Sequence, residues 1–252
     1  MDQTALQQKI VELWDHYTPI SDRFTRYTET FHLRGTEFLL LTLKLRSLFP
    51  ELHWKRVLDA GCGIGFGTLL WSLLANDVVG IDGAHEIKKA RRLIAERPEL
   101  AQRIQFVEGV CEDLSPIAGQ FDLIVTQYAL EHFRNMDESI RQIHTHLAPG
   151  GHVLHIVPNV TNRHLWYIEY RASLRWWNRF RQSVHHRGWW MTLKDPVGYT
   201  PPHDATRGDY ASELANYRLE KWAEAILRNG AEIRDYFPTR DLNWVLVTRP
   251  MP

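Results

Sequence analysis

Between residues 57 and 82 the chain reads Val-Leu-Asp-Ala-Gly-Cys-Gly-Ile-Gly-Phe-Gly-Thr, then an apolar helix pattern, then Val-Val-Gly-Ile-Asp. The chemistry such a stretch can do is to hold a nucleoside. A short apolar run, Val57 and Leu58, ends in Asp59, and glycines at 61, 63 and 65 permit a tight turn whose backbone can approach a ligand closely. Asp82 ends the next apolar run, 17 positions after Gly65, with Gly83 directly behind it. In a doubly wound sheet a ligand lies beyond the carboxyl ends of the strands, where an acid closing the second strand can accept both hydroxyls of a ribose.

The loop narrows the choice of nucleoside. Dinucleotide sites use G-x-G-x-x-G with a helix N-terminus facing a pyrophosphate. Here the spacing is G-x-G-x-G, the following slot is Phe66, and a carboxylate, Asp59, precedes the glycines. An acid suits an ammonium group and repels a diphosphate in a partly buried site. S-adenosylmethionine has an ammonium, a sulfonium and a ribose, and no phosphate. On these residues the chain resembles a class I S-adenosylmethionine-dependent methyltransferase of the small-molecule, O-methyltransferase type, over about residues 55 to 158 and more weakly in the C-terminal strands. The resemblance implies S-adenosylmethionine as cofactor and S-adenosylhomocysteine as product. An NAD(P)-dependent oxidoreductase and a non-catalytic membrane or partner-binding module on the same fold are the alternatives.

Two further loops belong to the same edge. Val107-Glu108-Gly109-Val110-Cys111-Glu112-Asp113-Leu114 follows the third strand. In similar methyltransferases this loop holds adenine, often through an Asp after the Gly, but that slot is Val110; the candidates become the Cys111 amide and the Glu112 carboxylate, with Asp113 a capping or surface acid. Phe121-Asp122-Leu123-Ile124-Val125-Thr126-Gln127-Tyr128-Ala129-Leu130-Glu131-His132-Phe133 places Gln127 to His132 beside the sulfonium, facing substrate. It resembles the strand-four motif of small-molecule O-methyltransferases, many of which end it in Glu-His. It lacks the Asn/Asp-Pro-Pro-aromatic motif of amino-methylating DNA enzymes. Ubiquinone-pathway O-methyltransferases carry another Glu three places earlier, where this chain has Tyr128, so no metal site is expected.

Methyl transfer from a sulfonium is an in-line displacement in which alignment supplies most of the catalysis, and a hydroxyl acceptor must lose its proton. His132 is the candidate base, with Glu131 orienting it or buttressing the loop. A helix-start histidine holding a carbonyl is the plainer reading of His132. His155, between Leu154 and Ile156, reads as a packed residue. His203, in Thr-Pro-Pro-His-Asp before the last helix, is a further candidate to face substrate.

These residues need a scaffold. Helices are expected at about 4–16, 20–31, 34–48, 66–75, 84–95, 136–147 and 212–228. Strands are expected at 56–60, from about 77 to 82, 103–108, 121–126 and 150–157, with apolar runs at 231–237 and 242–248. The alternation implies an α/β, doubly wound, mostly parallel sheet; the resemblance implies a Rossmann-like sheet of seven strands with the last antiparallel. The organisation expected is a helical lid over 1–50, a cofactor core over 51–158, a helical insertion over 159–210, and a closing helix with two strands over 211–252. At 252 residues and 44% hydrophobic, the chain can bury a large core. Thirty basic and thirty acidic residues give no charge argument for nucleic acid. The two cysteines, Cys62 and Cys111, and the lack of a leader or spanning pattern lead to a cytoplasmic expectation.

Substrate choice must come from the additions. Trp14, Tyr17, Phe24 and Tyr27 could form a lid over the cofactor or simply pack. The insertion holds Trp166, Trp176, Trp177, Trp189 and Trp190 of the ten tryptophans. A helix over 163–182 would align Trp166, Tyr170, Leu174, Trp177 and Phe180, with Arg171, Arg175 and Arg179 on another side. Such a segment suits a cap helix, peripheral contact of 163–190 with the inner face of a membrane, or a glycan or lipid-linked acceptor as well as a small molecule.

Overall fold

The computed structural model describes residues 2–24, 31–95, 97–157, 180–181, 184–185, 188–190, 193, 219–239 and 244–251. Its strands are β1 (Trp54–Ala60), β2 (Ala75–Asp82), β3 (Ile104–Glu108), β4 (Phe121–Gln127), β5 (Leu147–Val157), β6 (Ala231–Pro238) and β7 (Trp244–Pro250). They form one sheet in the order β3-β2-β1-β4-β5-β7-β6. Pairing is parallel from β3 across to β5, and β7 runs antiparallel to both of its neighbours. The doubly wound, seven-stranded sheet implied by the resemblance is therefore present.

Strand alternation divides the core between the two faces of this sheet. Val57, Val78, Leu123, Val125 and Leu154 join one cluster with Leu6, Ile10, Phe38, Leu69, Trp71, Ile87 and Leu93. Those partners come from α1 (Gln3–Phe24), α2 (Phe31–Leu45), α3 (Phe66–Trp71) and α4 (Ala84–Ala95). The neighbouring strand positions Leu58, Val79, Ile124 and Val153 join the other cluster with Leu114, Ile117 and Ile143. Ile143 belongs to α6 (Met136–Thr145), which Asn135 caps by accepting a bond from the Glu138 amide at 3.1 Å. Both faces are covered, which is why these strands read as continuous apolar runs.

Several boundaries moved for physical reasons. The sequence pattern breaks the first helix near Pro19, yet α1 runs unbroken from Gln3 to Phe24. Leu6, Ile10, Leu13 and Tyr17 share one buried face before the proline, and that burial carries the helix up to it. β5 starts at Leu147, although Pro149-Gly150-Gly151 looks like a break; the register shift between Phe121 and Leu123 of β4 absorbs it. α3 stops at Trp71 because Ser72 to Leu74 turn at once into β2. A short helix, α5 (Pro98–Ala101), has no counterpart in the expected pattern. The last helix, α7 (Leu219–Arg228), is described only from Leu219, so the expected start at 212 lies outside the described residues.

Tyr17 of α1 is fully buried, and its hydroxyl donates to the Leu93 carbonyl at 3.1 Å. That contact is a packing role, and Trp14 likewise packs against the core cluster. The side chain of Phe24, and Tyr27, lie outside the described residues. The chain divides into two compact units, one made of 1–157 with 226–252 and the other of 158–225. No helix among the described residues is long and apolar enough to cross a membrane.

Candidate functional site

The parallel strands β1, β2, β3 and β4 deliver their carboxyl ends to one edge. Asp59 pairs with Gly80 and Ala60 with Ile81, so Asp82 projects just past the end of β1, where the glycine loop begins. The amides of Gly61 and Cys62 both donate to the Ile81 carbonyl, at 2.9 and 3.0 Å. The Gly109 amide donates to the Asp82 carbonyl at 3.0 Å. Three expected loops are thereby joined at the end of β2.

Asp82 is the hub. Its Oδ2 accepts from the Gly63 amide and its Oδ1 from the Gly83 amide, each at 2.7 Å. A Cβ at Gly63 would meet nothing within 4 Å, and its φ of +55° is unfavourable to a side chain. Gly61 has the opposite constraint: a Cβ there would lie 2.4 Å from the Ala129 Cβ, so the glycine lets the loop touch the segment after β4. Gly65 completes the loop as the N-cap of α3.

Asp59 is only 2% exposed. The Thr68 hydroxyl donates to its Oδ2 at 2.7 Å from within α3. Burying a carboxylate is costly without such partners. A Cβ on Gly67 would sit 3.1 Å from Asp59 Oδ2 and 3.4 Å from Gln127 Oε1, which shows that these two polar side chains converge beside α3. Thr68 and Gly67 were not singled out from the sequence, although a hydroxyl in the helix facing a strand-end acid is a recognisable signal.

The cysteines are buried beneath the same loops, Cys62 at 8% and Cys111 at 4% exposure. Burial pushes the Cys62 thiol well up, and the Asp59 and Asp82 carboxylates add to it. Burial does the same to Cys111, reinforced by Asp82 and Glu112. Both are neutral thiols and poor nucleophiles. Next to Cys111, the Val110 side chain is 52% exposed. Glu112 has a contact the sequence did not suggest: its Oε1 accepts from the amides of Arg134 and Asn135 at 2.6 and 3.1 Å. One of its oxygens thus ties the loop after β3 to the loop after β4. Asp113 Oδ1 accepts from the Ser115 amide, and hydrogen bonding by the Ser115 side chain first, then by that amide, holds its carboxyl below the usual range.

Beyond β4, Tyr128 adopts a φ of 53°, a left-handed conformation rare for a bulky residue. Its amide donates to the Ile156 carbonyl at 2.9 Å, which holds the bend. Strained backbone of this kind clusters at ligand sites. A single 3-10 turn, Leu130–His132, follows; the half-buried His132 ends it with its amide donating to the Ala129 carbonyl at 2.8 Å. The Glu131 side chain and all of His203 lie outside the described residues. His155 is fully buried, with Nδ1 2.9 Å from the Thr126 hydroxyl, and burial lowers its pKa to about 3. It is a packed histidine, as its place in the strand suggests. Among the described residues no group of three or more His, Cys, Asp and Glu is placed to hold a metal ion.

Comparison with known proteins adds an independent line. Over 103 residues the chain is 34% identical to the ubiquinone biosynthesis O-methyltransferase of Acinetobacter baylyi, a match covering 40% of this chain and 43% of that protein. It spans about half or less of the length of the curated relatives it matches. Among solved structures, an S-adenosylmethionine-dependent methyltransferase from Clostridium acetobutylicum superposes with a TM-score of 0.57 at 12% identity, covering 95% of this chain and all of that one. The O-methyltransferase NcsB1 from neocarzinostatin biosynthesis, in complex with S-adenosyl-L-homocysteine and 1,4-dihydroxy-2-naphthoic acid, has a TM-score of 0.51 at 15% identity, covering 88% of this chain and 59% of that one. At such identities the likeness is one of fold. Residues 24–246 match the family model described as Methyltransferase domain. The class I reading, with S-adenosylmethionine as cofactor, rests on that match together with the sheet order. This chain belongs to the Methyltransferase domain family.

Proposed function

We propose that the chain transfers the methyl group of S-adenosylmethionine to a hydroxyl oxygen of a small molecule, glycan or lipid-linked acceptor. The observation that carries the cofactor part is the pair of acids at adjoining strand ends. Asp59 is held by the Thr68 hydroxyl at the end of β1, and Asp82 holds the Gly63 amide of the glycine loop from the end of β2. Asp59 balances the ammonium charge in a water-poor position, and Asp82, at the end of the second strand, accepts the ribose hydroxyls. The backbone from Gly61 to Gly65 supplies close contact, with Cys62 inside it and Gly83 bounding the ribose side. The adenine end falls to the Cys111 amide, the exposed face of Val110 and the Glu112 loop.

Gln127 and His132 fall on the acceptor side of the cofactor. The protein's part in catalysis is to align the oxygen with the sulfonium methyl and to take up a proton. His132, at the end of the turn beyond β4, is the base, with Glu131 and His203 as further candidate contributors. The methyl carbon gains the acceptor oxygen and loses sulfur, the acceptor proton goes to the imidazole, and S-adenosylhomocysteine leaves. Oxygen is chosen over nitrogen on the Glu131-His132 motif and on the likeness to a ubiquinone-pathway O-methyltransferase. Incubating the chain with S-adenosylmethionine and a panel of phenols, sugars and amines, followed by mass spectrometry, tests this. The expected product is a hydroxyl compound heavier by one CH2, and methylated amines alone would overturn the choice of oxygen.

A further inference from the structure

Hydrogen bonds and short chain segments lead without a gap from the end of β2 to the turn that carries His132. The Gly109 amide donates to the Asp82 carbonyl at 3.0 Å. The Asp113 amide then donates to the Val110 carbonyl at 3.1 Å, closing a tight turn with Cys111 and Glu112 at its centre. From that turn the half-buried Glu112 reaches the amides of Arg134 and Asn135, at 2.6 and 3.1 Å, and Asn135 is the N-cap of α6. A carboxylate suits this place, because amides at a helix start lack intrahelical acceptors and the helix dipole is positive there. One turn further on, Asp137 Oδ1 accepts from the side chains of Arg228 and Asn229 at the end of α7, each at 2.7 Å. The segment that directly follows His132 is thus held from two sides. Within the 3-10 turn itself, the amides of His132 and Phe133 donate to the Ala129 and Leu130 carbonyls at 2.8 and 3.4 Å, the second a long bond.

We propose that Glu112 is a positioning residue for methyl transfer, through which filling of the adenine loop orders the turn that presents His132 to the acceptor. The inference rests on the reading that the cofactor's adenine lies against the Cys111 amide. Cys111 and Glu112 are consecutive in one closed turn, so a ligand that fixes the first also fixes the second. Both bonds of Glu112 Oε1 go to the segment after His132, so what steadies this side chain steadies the base. The base is then in place when a methyl donor is bound. By linkage, an acceptor that settles the same turn tightens the cofactor by the same factor.

Hydrogen–deuterium exchange of the full chain, read by mass spectrometry with and without saturating S-adenosylhomocysteine, tests the coupling without needing an acceptor. In wild type the ligand should slow exchange over residues 129–135 by about fivefold or more, the ordinary size of a coupling between two sites. Glu112→Gln keeps the length and a carbonyl acceptor, and should respond as wild type does. Glu112→Ala should still bind S-adenosylhomocysteine, within about tenfold by calorimetry, and keep β1 to β4 protected. Its response over 129–135 should fall below about twofold. Wild type that binds the ligand with no change over 129–135 would overturn the coupling, as would a full response in Glu112→Ala or its loss in Glu112→Gln. Loss of protection throughout the sheet in Glu112→Ala would make the residue a general support of the fold and would equally remove the positioning role. Absence of binding by wild type is a different failure, one that removes the cofactor reading and the coupling together.

Discussion

At the scale of single residues, Asp59 and His132 have separable roles, and substitution should separate them. Asp59→Asn keeps an oxygen for the Thr68 hydroxyl, 2.7 Å away, but removes the charge proposed to face the ammonium. Cofactor affinity should fall by roughly ten- to a hundredfold, the scale of one charge-assisted bond, with little change in melting temperature. Equal affinity in a calorimetric titration would place the ammonium elsewhere. His132→Ala should leave cofactor affinity nearly intact and lower turnover on an identified acceptor by about 10² to 10⁴-fold. Wild-type turnover should rise with pH as the base loses its proton, and the variant should lose that limb. A variant retaining more than about a third of the rate with an unchanged pH profile would remove His132 from the chemistry.

At the scale of elements, the site is a meeting of loops, and loop contacts are what the sequence concealed. The glycine spacing and strand-end acids were legible because their chemistry is local: Asp59, Gly61, Gly63, Gly65 and Asp82 lie within 24 residues. The bond from Glu112 to the Arg134 and Asn135 amides spans 22 and 23 positions, and nothing in either segment announces it. The contact of Gly61 with Ala129 is similarly remote. Glu112→Ala should loosen the turn carrying His132 by leaving two amides without their acceptor. The expected result is a loss of about 1–3 kcal/mol in stability, most of it recovered in Glu112→Gln, whose side-chain carbonyl can accept the same bonds. Denaturant titration of both variants checks this, and equal losses would show that charge, not acceptance, is what matters. Gly61→Ala should be more damaging, because its Cβ would overlap Ala129 and sit at a φ of +80°.

At the scale of the whole molecule, the sheet that positions the cofactor also imposes a pH limit on stability. Burial holds His155 at about 3, against roughly 6.5 in an unfolded chain, and burial lowers His144 and His152 in the same direction. The folded state keeps the His155 ring neutral, so the unfolded chain binds more protons once the pH falls below the unfolded value. Stability is therefore complete above about 6.5 and declines through the window down to about 3, by roughly 1.4 kcal/mol per pH unit for His155 alone. Between about pH 7 and pH 5 that amounts to about 2 kcal/mol, and His155→Gln should flatten the decline in denaturant titrations. An unchanged slope would show that other groups set it. The central claim, that the strand-end acids of this fold hold S-adenosylmethionine, is tested most directly by calorimetric titration of wild type and Asp82→Ala with S-adenosylmethionine. Saturable one-site binding by wild type, weakened roughly ten- to a hundredfold or more in the variant, is predicted from the loss of the ribose bonds and of the Gly63 anchor. No binding by wild type, or affinities agreeing within about threefold, would contradict it.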